Sequence, residues 1–290
     1  MIECCFFVQK SAQRYCFFVS ILHFSAFFEK YIANNAIIRF LLTLQLFTAK
    51  FYLMDIVLIG YGKMGKEIER VALERGHRIS EIFDIDRDIR SCGDITSLGD
   101  VAVEFSTPKT AEQNVMACVK GGLRVVSGTT GWSFDANVMD KLCRENSSAF
   151  FYSSNYSIGM NIFMAVNRML AQKLAAYPQY SAHIEETHHI HKLDKPSGTA
   201  ITLAKGIIEN NPRYSDWKLD EESGNILEIK SFREGEVFGD HSVLWSSDFD
   251  DITITHSAKS RRGLANGAVL AAEFLAGKCG MFTMNDLLDL

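Results

Sequence analysis

The side chains best suited to chemistry are concentrated in one stretch, residues 183–200, with the sequence HIEETHHIHKLDKPSGTA. This stretch holds four of the eight histidines in the chain. Because an imidazole has an ordinary pKa of about 6.5, it can gain or lose a proton near neutral pH. His188, His189 and His191 beside Lys192 therefore indicate proton transfer or anion binding. The alternative is a solvated polar loop without a chemical role.

The segment that follows these side chains adds a second anion-binding feature. In Pro196-Ser197-Gly198-Thr199 the glycine lets a ligand approach the backbone, and Thr199 is expected to cap a helix over residues 201–208. The N-terminus of a helix favours negative charge. Cations and a helix N-terminus in one place predict a small, multiply carboxylated substrate.

Zinc is the competing interpretation of the histidines, because imidazole is a common metal ligand. No cysteine lies nearby in the sequence. His188 and His189 are adjacent, so on a strand they would point to opposite faces, and the H-x-x-x-H spacing that joins two ligands on a helix is absent. We therefore expect no metal site.

Composition limits the class of protein. The chain has 290 residues, 47% hydrophobic and 22% charged, which is typical of a globular protein with one large domain or two ordinary ones. A net charge of -5 without a basic run argues against nucleic acid as a partner. The seven cysteines form no C-x-x-C pair and are odd in number, which favours a reducing cytoplasm over a disulfide framework.

Residues 1–53 differ from the rest of the chain, with 10 of the 21 phenylalanines and no glycine. A signal peptide is disfavoured because charged residues interrupt the apolar clusters, and no uncharged run reaches the roughly 18 to 20 residues of a membrane span. We expect this segment to lie outside the core and translation to start at Met54. A membrane anchor is the main alternative.

The segment after Met54 has the pattern of a dinucleotide-binding unit. Residues 56–59 form a short apolar run typical of a buried parallel strand. A G-x-G-x-x-G loop and a helical pattern follow, so backbone N–H groups can approach a pyrophosphate. The predicted loop residues are Gly60, Tyr61, Gly62, Lys63, Met64 and Gly65. A second strand ends at Asp84, 24 residues after Gly60, where a carboxylate can bind a ribose.

Strands and helices continue to alternate up to residue 152, which predicts a doubly wound parallel sheet. Ligands bind such sheets at the carboxyl ends of the strands, so the loops there are candidates for the nicotinamide end of the cofactor site. The residues singled out in these loops are Gly128, Thr129, Thr130, Ser153, Ser154, Asn155 and Tyr156.

After Tyr156 the pattern changes to a long helix, the histidine-containing stretch and several strands with short turns. The predicted fold is therefore α/β, with a Rossmann-type doubly wound parallel sheet domain and a second α+β domain with a largely antiparallel sheet. We assign residues 54–156 and 263–290 to the dinucleotide-binding domain. Residues 157–262 form the predicted second domain.

From Met54 to Leu290 the chain resembles the 4-hydroxy-tetrahydrodipicolinate reductase (dihydrodipicolinate reductase) family. The resemblance rests on the motif E-x-H-H-x-x-K-x-D-x-P-S-G-T-A, which runs from Glu186 to Ala200. Supporting segments are GTTG at 128–131, NYSIGMN at 155–161, REG at 233–235, GDH at 239–241 and ANGA at 265–268.

This resemblance implies NAD(P)H-dependent reduction of 4-hydroxy-tetrahydrodipicolinate in the diaminopimelate pathway of lysine biosynthesis. It also implies a small dicarboxylate substrate and a cytoplasmic homotetramer without a membrane or nucleic-acid partner. In this family residues 157–262 would be the substrate-binding and tetramerisation domain. By motif position, His188 matches the family's acid/base histidine and Lys192 its proton donor. His189, Gly198 and Thr199 match contacts to the substrate carboxylates, and the glycine-containing loops match the cofactor site.

Two departures from the family pattern bear on the site, and a third, at Lys195, is expected to have no consequence. The glycine loop is one residue shorter than the common form. Ile85 stands where many members have an arginine after the acidic residue, so the cation that would bind the 2'-phosphate of NADPH is absent at that position. With Asp84 at the strand end, we expect NADH to be preferred, although Arg87 and Arg90 follow closely. Lys195 replaces a usual alanine and is expected to face solvent.

Two other functions are compatible with this fold class. One is another two-domain NAD(P)-dependent reductase, which would lack the H-H-x-x-K and P-S-G-T-A pair. The other is a catalytically inactive regulator that senses NAD. The presence of both His188 and Lys192 argues against the second.

Overall fold

The structure is a computed structural model that describes residues 3–10, 13–20, 53–221 and 223–290. The chain divides into two units, residues 1–52 and residues 53–290. In the first unit, strand β1 (Glu3–Lys10) pairs antiparallel with β2 (Gln13–Ser20). The prediction that residues 21–52 contribute nothing to the core lies outside the described residues.

The second unit contains a six-stranded sheet in which all neighbouring strands are parallel. Its strands are β3 (Asp55–Ile59), β4 (Arg78–Phe83), β5 (Val101–Glu104), β6 (Arg124–Ser127), β7 (Ala149–Tyr152) and β13 (Gly280–Phe282). Their order across the sheet is β13-β7-β6-β5-β3-β4. The chain reverses its direction of progress at β3, between β4 and β5. Such a switch point at the carboxyl ends of the strands is where open α/β sheets bind ligands.

Helices cover both faces of this sheet because its strands are apolar on both sides. The helices are α1 (Lys63–Glu74), α2 (Pro108–Lys120), α3 (Ala136–Glu145) and α6 (Arg262–Phe274), with the short α7 (Met284–Leu288) after β13. Successive residues of β3 face opposite cores: Ile56 and Leu58 pack with α1 and α6, and Val57 and Ile59 pack with α2. The late elements α6 and β13 thus belong to the same sheet layer as the first strands.

A second, five-stranded sheet has the order β12-β11-β8-β10-β9. Its strands are β8 (Ser181–His188), β9 (Asp216–Leu219), β10 (Ile226–Arg233), β11 (Asp240–Ser246) and β12 (Asp251–Ser257). β11 is antiparallel to both of its neighbours, whereas β10 is parallel to β8 and β9. The sheet is therefore mixed, because a helical crossover returns the chain in the same direction after β8.

Two helices pack on this second sheet, α4 (Ile158–Leu174) and α5 (Gly198–Asn210). Their buried side chains meet Ile184, Ile229 and the fully buried Trp245 in one core. Burying a side chain of this size contributes roughly 1.5–3 kcal/mol, so the core fixes the strand that carries the histidines. Within the described residues, no helix combines the length and apolar character needed to cross a membrane.

Candidate active site

Strand β8 carries the first catalytic candidate. This strand continues to His188, so the histidine is held by sheet hydrogen bonds and not by a loop. Glu186 and His188 are two residues apart on the strand and therefore share one face, and both are buried. His189 starts the loop that leads to α5, which we call the substrate loop (residues 189–197).

The substrate loop ends at the N-terminus of α5, which begins at Gly198. The sequence predicted Thr199 as the cap of this helix, and that prediction is wrong. The cap is Ser197, whose hydroxyl accepts a hydrogen bond from the backbone N–H of Ala200 at 3.2 Å, while Thr199 lies inside the first turn. Gly198 is exposed, and a side chain at this position would meet open space. The N-terminus of α5 is thus accessible to an anion.

Glu186 accepts the hydrogen bonds that connect the substrate loop to the second sheet. Sequence analysis did not predict this role. Its Oε1 accepts the backbone N–H of Ser197 at 2.9 Å and the hydroxyl of Ser231 at 2.6 Å. The Arg233 guanidinium lies 3.4 Å from the same oxygen. This buried carboxylate therefore joins β8, β10 and the start of α5.

Arg233 on β10 holds the backbone of the substrate loop in place. Its guanidinium donates to the carbonyl of Lys192 at 3.2 Å and to the carbonyl of Asp194. The ammonium of Lys192 lies 2.8 Å from the Asp194 carboxylate, and its side chain is 24% exposed. The loop thus presents a cation in a fixed place. Lys195 is exposed, as expected.

The electrostatic environment suits proton transfer at His188. Burial lowers the pKa of His188, and Lys192 and Arg233 lower it further against the opposing effect of Glu186. The imidazole is therefore neutral at pH 7. Burial raises the pKa of Glu186, but hydrogen bonds from Ser197 and Ser231 outweigh it, so its pKa lies below the ordinary value and the carboxylate is ionised.

The other histidines of the stretch have different surroundings. His189 is half-buried, and its ring centroid lies 6.0 Å from that of His191. The side chain of His191 is 69% exposed and lies 3.3 Å from Glu236. His191 is thus at the surface of the loop, and His188 is the buried member of the group.

The glycine loop after β3 has the conformation expected for a phosphate site. Gly60 has φ of +90°, and a Cβ there would lie 2.2 Å from the carbonyl oxygen of Phe105. A Cβ at Gly65 would lie 2.3 Å from the carbonyl oxygen of Gly60. Helix α1 starts at Lys63 without a side-chain cap among the described residues, which leaves its first N–H groups for a ligand. The side chain of Tyr61 does not face the loop, and its hydroxyl donates a hydrogen bond to the carboxylate of Glu69.

A second buried carboxylate, Glu104, organises the neighbouring loops and was also missed. It ends β5 and accepts hydrogen bonds from the Ser127 hydroxyl at 2.6 Å, the Thr129 hydroxyl at 2.9 Å and the backbone N–H of Ser106 at 3.0 Å. The available signal was a carboxylate at the end of the apolar strand sequence VAVE. Glu104 thereby fixes the loop that contains Gly128 and Thr129, while Thr130 is exposed.

The loop after β7 is held by its own polar groups. The Ser153 hydroxyl donates to the carbonyl of Asn155 at 2.8 Å, and Ser154 is exposed. The side chain of Tyr156 lies in the core, and its hydroxyl donates to the carbonyl of Ser127 at 2.7 Å. Tyr156 can therefore contact a cofactor only through its backbone.

Asp84 is exposed at the carboxyl end of β4, and Ile85 beside it is fully exposed. Both nearby arginines are already engaged. The guanidinium of Arg87 stacks 4.5 Å from the ring centroid of Phe83 and pairs with Glu81. Arg90 pairs with Asp88. Among the described residues, neither arginine therefore pairs with the carboxylate of Asp84.

A cavity of about 360 Å³ lies beside the glycine loop. It is lined by Lys63, Lys66, Glu67, Arg70, Phe238 and Arg261. Phe238 and Arg261 follow strands of the second sheet, so this cavity lies between α1 and that sheet. Its lining residues do not include those of the substrate loop. It extends the basic surroundings of the predicted pyrophosphate site.

Comparison with known proteins adds independent information. Family models described as "Dihydrodipicolinate reductase, N-terminus" and "Dihydrodipicolinate reductase, C-terminus" match residues 54–156 and 159–288. The chain is 47% identical over 237 residues to a 4-hydroxy-tetrahydrodipicolinate reductase of Christiangramia forsetii, covering 81% of this chain and 98% of that relative. It is 31% identical to the protein of the same name from Archaeoglobus fulgidus, covering 79% and 96%.

Among solved structures, the chain is similar to a dipicolinate-bound dihydrodipicolinate reductase from Paenisporosarcina sp. TG-14. The TM-score is 0.63 at 20% sequence identity, and the match covers 81% of this chain and 99% of that one. At this identity the similarity demonstrates a shared fold.

Proposed function

Because the chain belongs to the dihydrodipicolinate reductase family, we propose that it reduces 4-hydroxy-tetrahydrodipicolinate to tetrahydrodipicolinate with NADH or NADPH. The reaction belongs to the diaminopimelate route to lysine. The proposal depends on the arrangement at the end of β8. Neutral His188 ends this strand, the substrate loop that follows carries the cation of Lys192, and the loop leads to the accessible N-terminus of α5.

The cofactor-binding role falls to the loops at the carboxyl ends of β3, β4, β6 and β7. The tight conformation of Gly60 and the uncapped start of α1 support a pyrophosphate site. Asp84 is proposed to accept hydrogen bonds from a ribose, and the loops containing Gly128 and Ser153 are proposed to contact the nicotinamide end. The reduced nicotinamide would supply the hydride when bound.

The substrate-binding role falls to the substrate loop and the start of α5. His189, Gly198 and Thr199 are proposed to bind the two carboxylates, because an imidazole and a helix N-terminus both favour negative charge. Lys192 is proposed to donate the proton that accompanies hydride transfer as the 4-hydroxyl leaves as water. His188, kept neutral by burial, is proposed to exchange protons at the same place.

The decisive experiment for this function is a coupled assay. Aspartate semialdehyde and pyruvate are condensed by the synthase that makes the substrate, and oxidation of reduced cofactor is followed at 340 nm after addition of the purified chain. Oxidation should require both the fresh condensation product and the chain. Cofactor oxidation that is independent of the condensation product would contradict the proposal.

Gly239 provides a test of the position of His188. A Cβ at Gly239 would lie 2.9 Å from His188 Nε2, and the φ of +150° disfavours a side chain. Gly239→Ala is therefore expected to displace the imidazole and lower kcat roughly tenfold or more, since small misplacements of a catalytic group have effects of this size.

The matched control for that variant is Gly235→Ala in the same turn between β10 and β11. Gly235 also has a positive φ, +47°, but a Cβ there would meet open space. Steady-state kinetics of the two variants separate displacement of His188 from backbone strain. Equal kcat values in both variants would mean that the position of His188 is unimportant.

Cofactor preference is predicted from Asp84. Its carboxylate can accept hydrogen bonds from both ribose hydroxyls of NADH, and the same charge repels the 2'-phosphate of NADPH. With Arg87 and Arg90 paired to carboxylates, we expect NADH to be preferred about tenfold, equivalent to about 1.4 kcal/mol. The ratio of kcat/KM for the two cofactors at one ionic strength measures it.

A charge variant tests the explanation of that preference. Glu81→Gln removes the partner of Arg87 and is expected to narrow the preference for NADH. Glu145→Gln, which removes an exposed carboxylate at the end of α3, should leave the ratio unchanged. A clear NADPH preference in the unmodified chain would show that a cation reaches the phosphate after all.

We also propose the assembly and the organisation of the chain. Residues 54–156 with 263–290 form the dinucleotide-binding domain, and residues 157–262 form the substrate-binding domain of a cytoplasmic homotetramer. Phe232 on β10 and Phe249 in the turn between β11 and β12 are exposed apolar side chains, which an interface would cover. Light scattering of the purified chain measures the assembly, and a monomeric mass at micromolar concentration would contradict it.

A further inference from the structure

We propose that Glu186, His188 and His241 form a binding site for a divalent transition-metal ion, best suited to Zn²⁺, and that the bound ion inhibits the protein reversibly. A ligand atom of each of these three buried residues lies within 4.8 Å of the others. A carboxylate with two imidazoles is a ligand set that zinc accepts, with an open position for a fourth ligand.

The strand register explains why these residues converge. Glu186 and His188 share a face of β8 because they are two residues apart. His241 on β11 is the direct antiparallel partner of Glu186. The sequence predicted no metal site because residues 183–200 contain no cysteine and no H-x-x-x-H pair, and His188 and His189 are adjacent. The third ligand comes from a strand that is 55 residues further along the chain and is brought in by sheet pairing.

The distances fit a tetrahedral ion. Glu186 Oε2 lies 3.4 Å from His188 Nδ1 and 3.6 Å from His241 Nε2. Ligands about 2.1 Å from a zinc ion lie about 3.4 Å apart in tetrahedral geometry. Glu186 Oε2 and His188 Nδ1 are buried and have no hydrogen-bond partner in the part of the chain that the structure describes. Buried polar atoms of this kind ordinarily have a partner, which an ion or a water would supply.

Nearby cations make the binding reversible. Arg233 lies 3.4 Å from the other oxygen of Glu186, and the ammonium of Lys192 acts on both His188 and His241. Their charge weakens attraction for a divalent ion compared with a site that has no cation nearby. The expected behaviour is a site that fills when free zinc rises and empties when it falls.

The effect on activity rests on the proposed function. An ion bound at Nδ1 of His188 fixes the ring and withdraws electron density from it, so the imidazole can no longer exchange protons with a substrate. Ser197, whose hydroxyl lies 3.3 Å from His241 Nε2, is available as a fourth neighbour together with water. Binding of the metal itself does not depend on the reaction.

The test uses Co²⁺ and Zn²⁺ with the full chain. Co²⁺ in a tetrahedral nitrogen and oxygen site absorbs in the visible region, and equilibrium dialysis with Zn²⁺ gives stoichiometry and affinity. One ion per chain is expected, without the charge-transfer band of a thiolate. His241→Gln should weaken binding at least tenfold. His183→Gln is the matched control, because His183 is on β8 but pairs with Glu185 outside the three-residue group.

The outcomes are distinguishable. No binding by the folded chain, or equal affinity in His241→Gln, overturns the site. If His241→Gln does not fold, X-ray absorption spectroscopy of the zinc-loaded unmodified chain gives the number of imidazole ligands. A coordination shell of zinc with fewer than two imidazoles also overturns the site. If zinc binds but turnover is unchanged, the metal site stands and the proposed inhibition is wrong. The proton-transfer role proposed for His188 would then be wrong as well.

Discussion

Replacing His188 by glutamine, or Lys192 by alanine, is expected to lower kcat by roughly 10²-fold or more, the usual range for a positioned acid or base or a required cation. His188 is buried at the end of β8, so no other residue can take its place without movement of the strand. Lys192 is held by Asp194, and its backbone by Arg233. Steady-state kinetics in the coupled assay measure both losses.

Neighbouring residues of the same types provide the controls. His191→Gln removes an exposed histidine, and Lys195→Ala removes an exposed lysine of the same loop. Both should retain nearly full turnover. Cofactor binding, followed by quenching of tryptophan fluorescence, should persist in all four variants because the glycine loop is untouched. Near-normal turnover in both His188→Gln and Lys192→Ala would show that the substrate loop has been wrongly assigned.

The second large effect is expected at Gly267, in α6. A Cβ at this position would lie 1.7 Å from the carbonyl oxygen of Tyr156, a distance that no packing adjustment of side chains relieves. Gly267→Ala should therefore push α6 away from the loop after β7. We expect a loss of about 3 kcal/mol or more in the free energy of unfolding, at the upper end of overpacking effects, and weaker cofactor binding.

Gly263→Ala is the matched control, because Gly263 is in the same helix and a Cβ there would meet open space. Alanine is the better helix former by about 1 kcal/mol, so this control should be slightly stabilising. Urea denaturation of both variants, followed by circular dichroism, gives the two values. Equal stabilities would mean that α6 does not pack on the loop as described.

The elements that bury apolar side chains were predictable from the sequence. The apolar run at residues 56–59 is β3, and the predicted alternation of strands and helices up to residue 152 is confirmed by β3 to β7 with α1 to α3. Strand β9 was missed because its alternating residues are only half-buried, and β13 because it has three residues. The local sequence pattern does not predict such strands well, because their formation depends on packing against neighbouring strands of the sheet. The family resemblance is confirmed.

The polar framework of the candidate site was less predictable. His188 and Lys192 stand out because of their residue types, but Glu186, Arg233 and His241 become neighbours only through the pairing of β8 with β10 and β11. Strand register depends on the whole sheet, and one chain segment does not encode it. For the same reason Ser197, and not Thr199, caps α5: its amide is already fixed by Glu186.

The position of β13 determines when the protein can fold during its synthesis. β13 pairs with β7, where Gly280 is opposite Ala149, and α6 covers the same sheet. At translation rates of about 5–20 residues per second, roughly ten seconds separate the emergence of these partners from the ribosome. We expect the second sheet, with all strands between residues 181 and 257, to complete its pairing first. Until the last residues emerge, the nascent chain displays an unpaired β7 edge and an uncovered apolar face, both of which chaperones recognise.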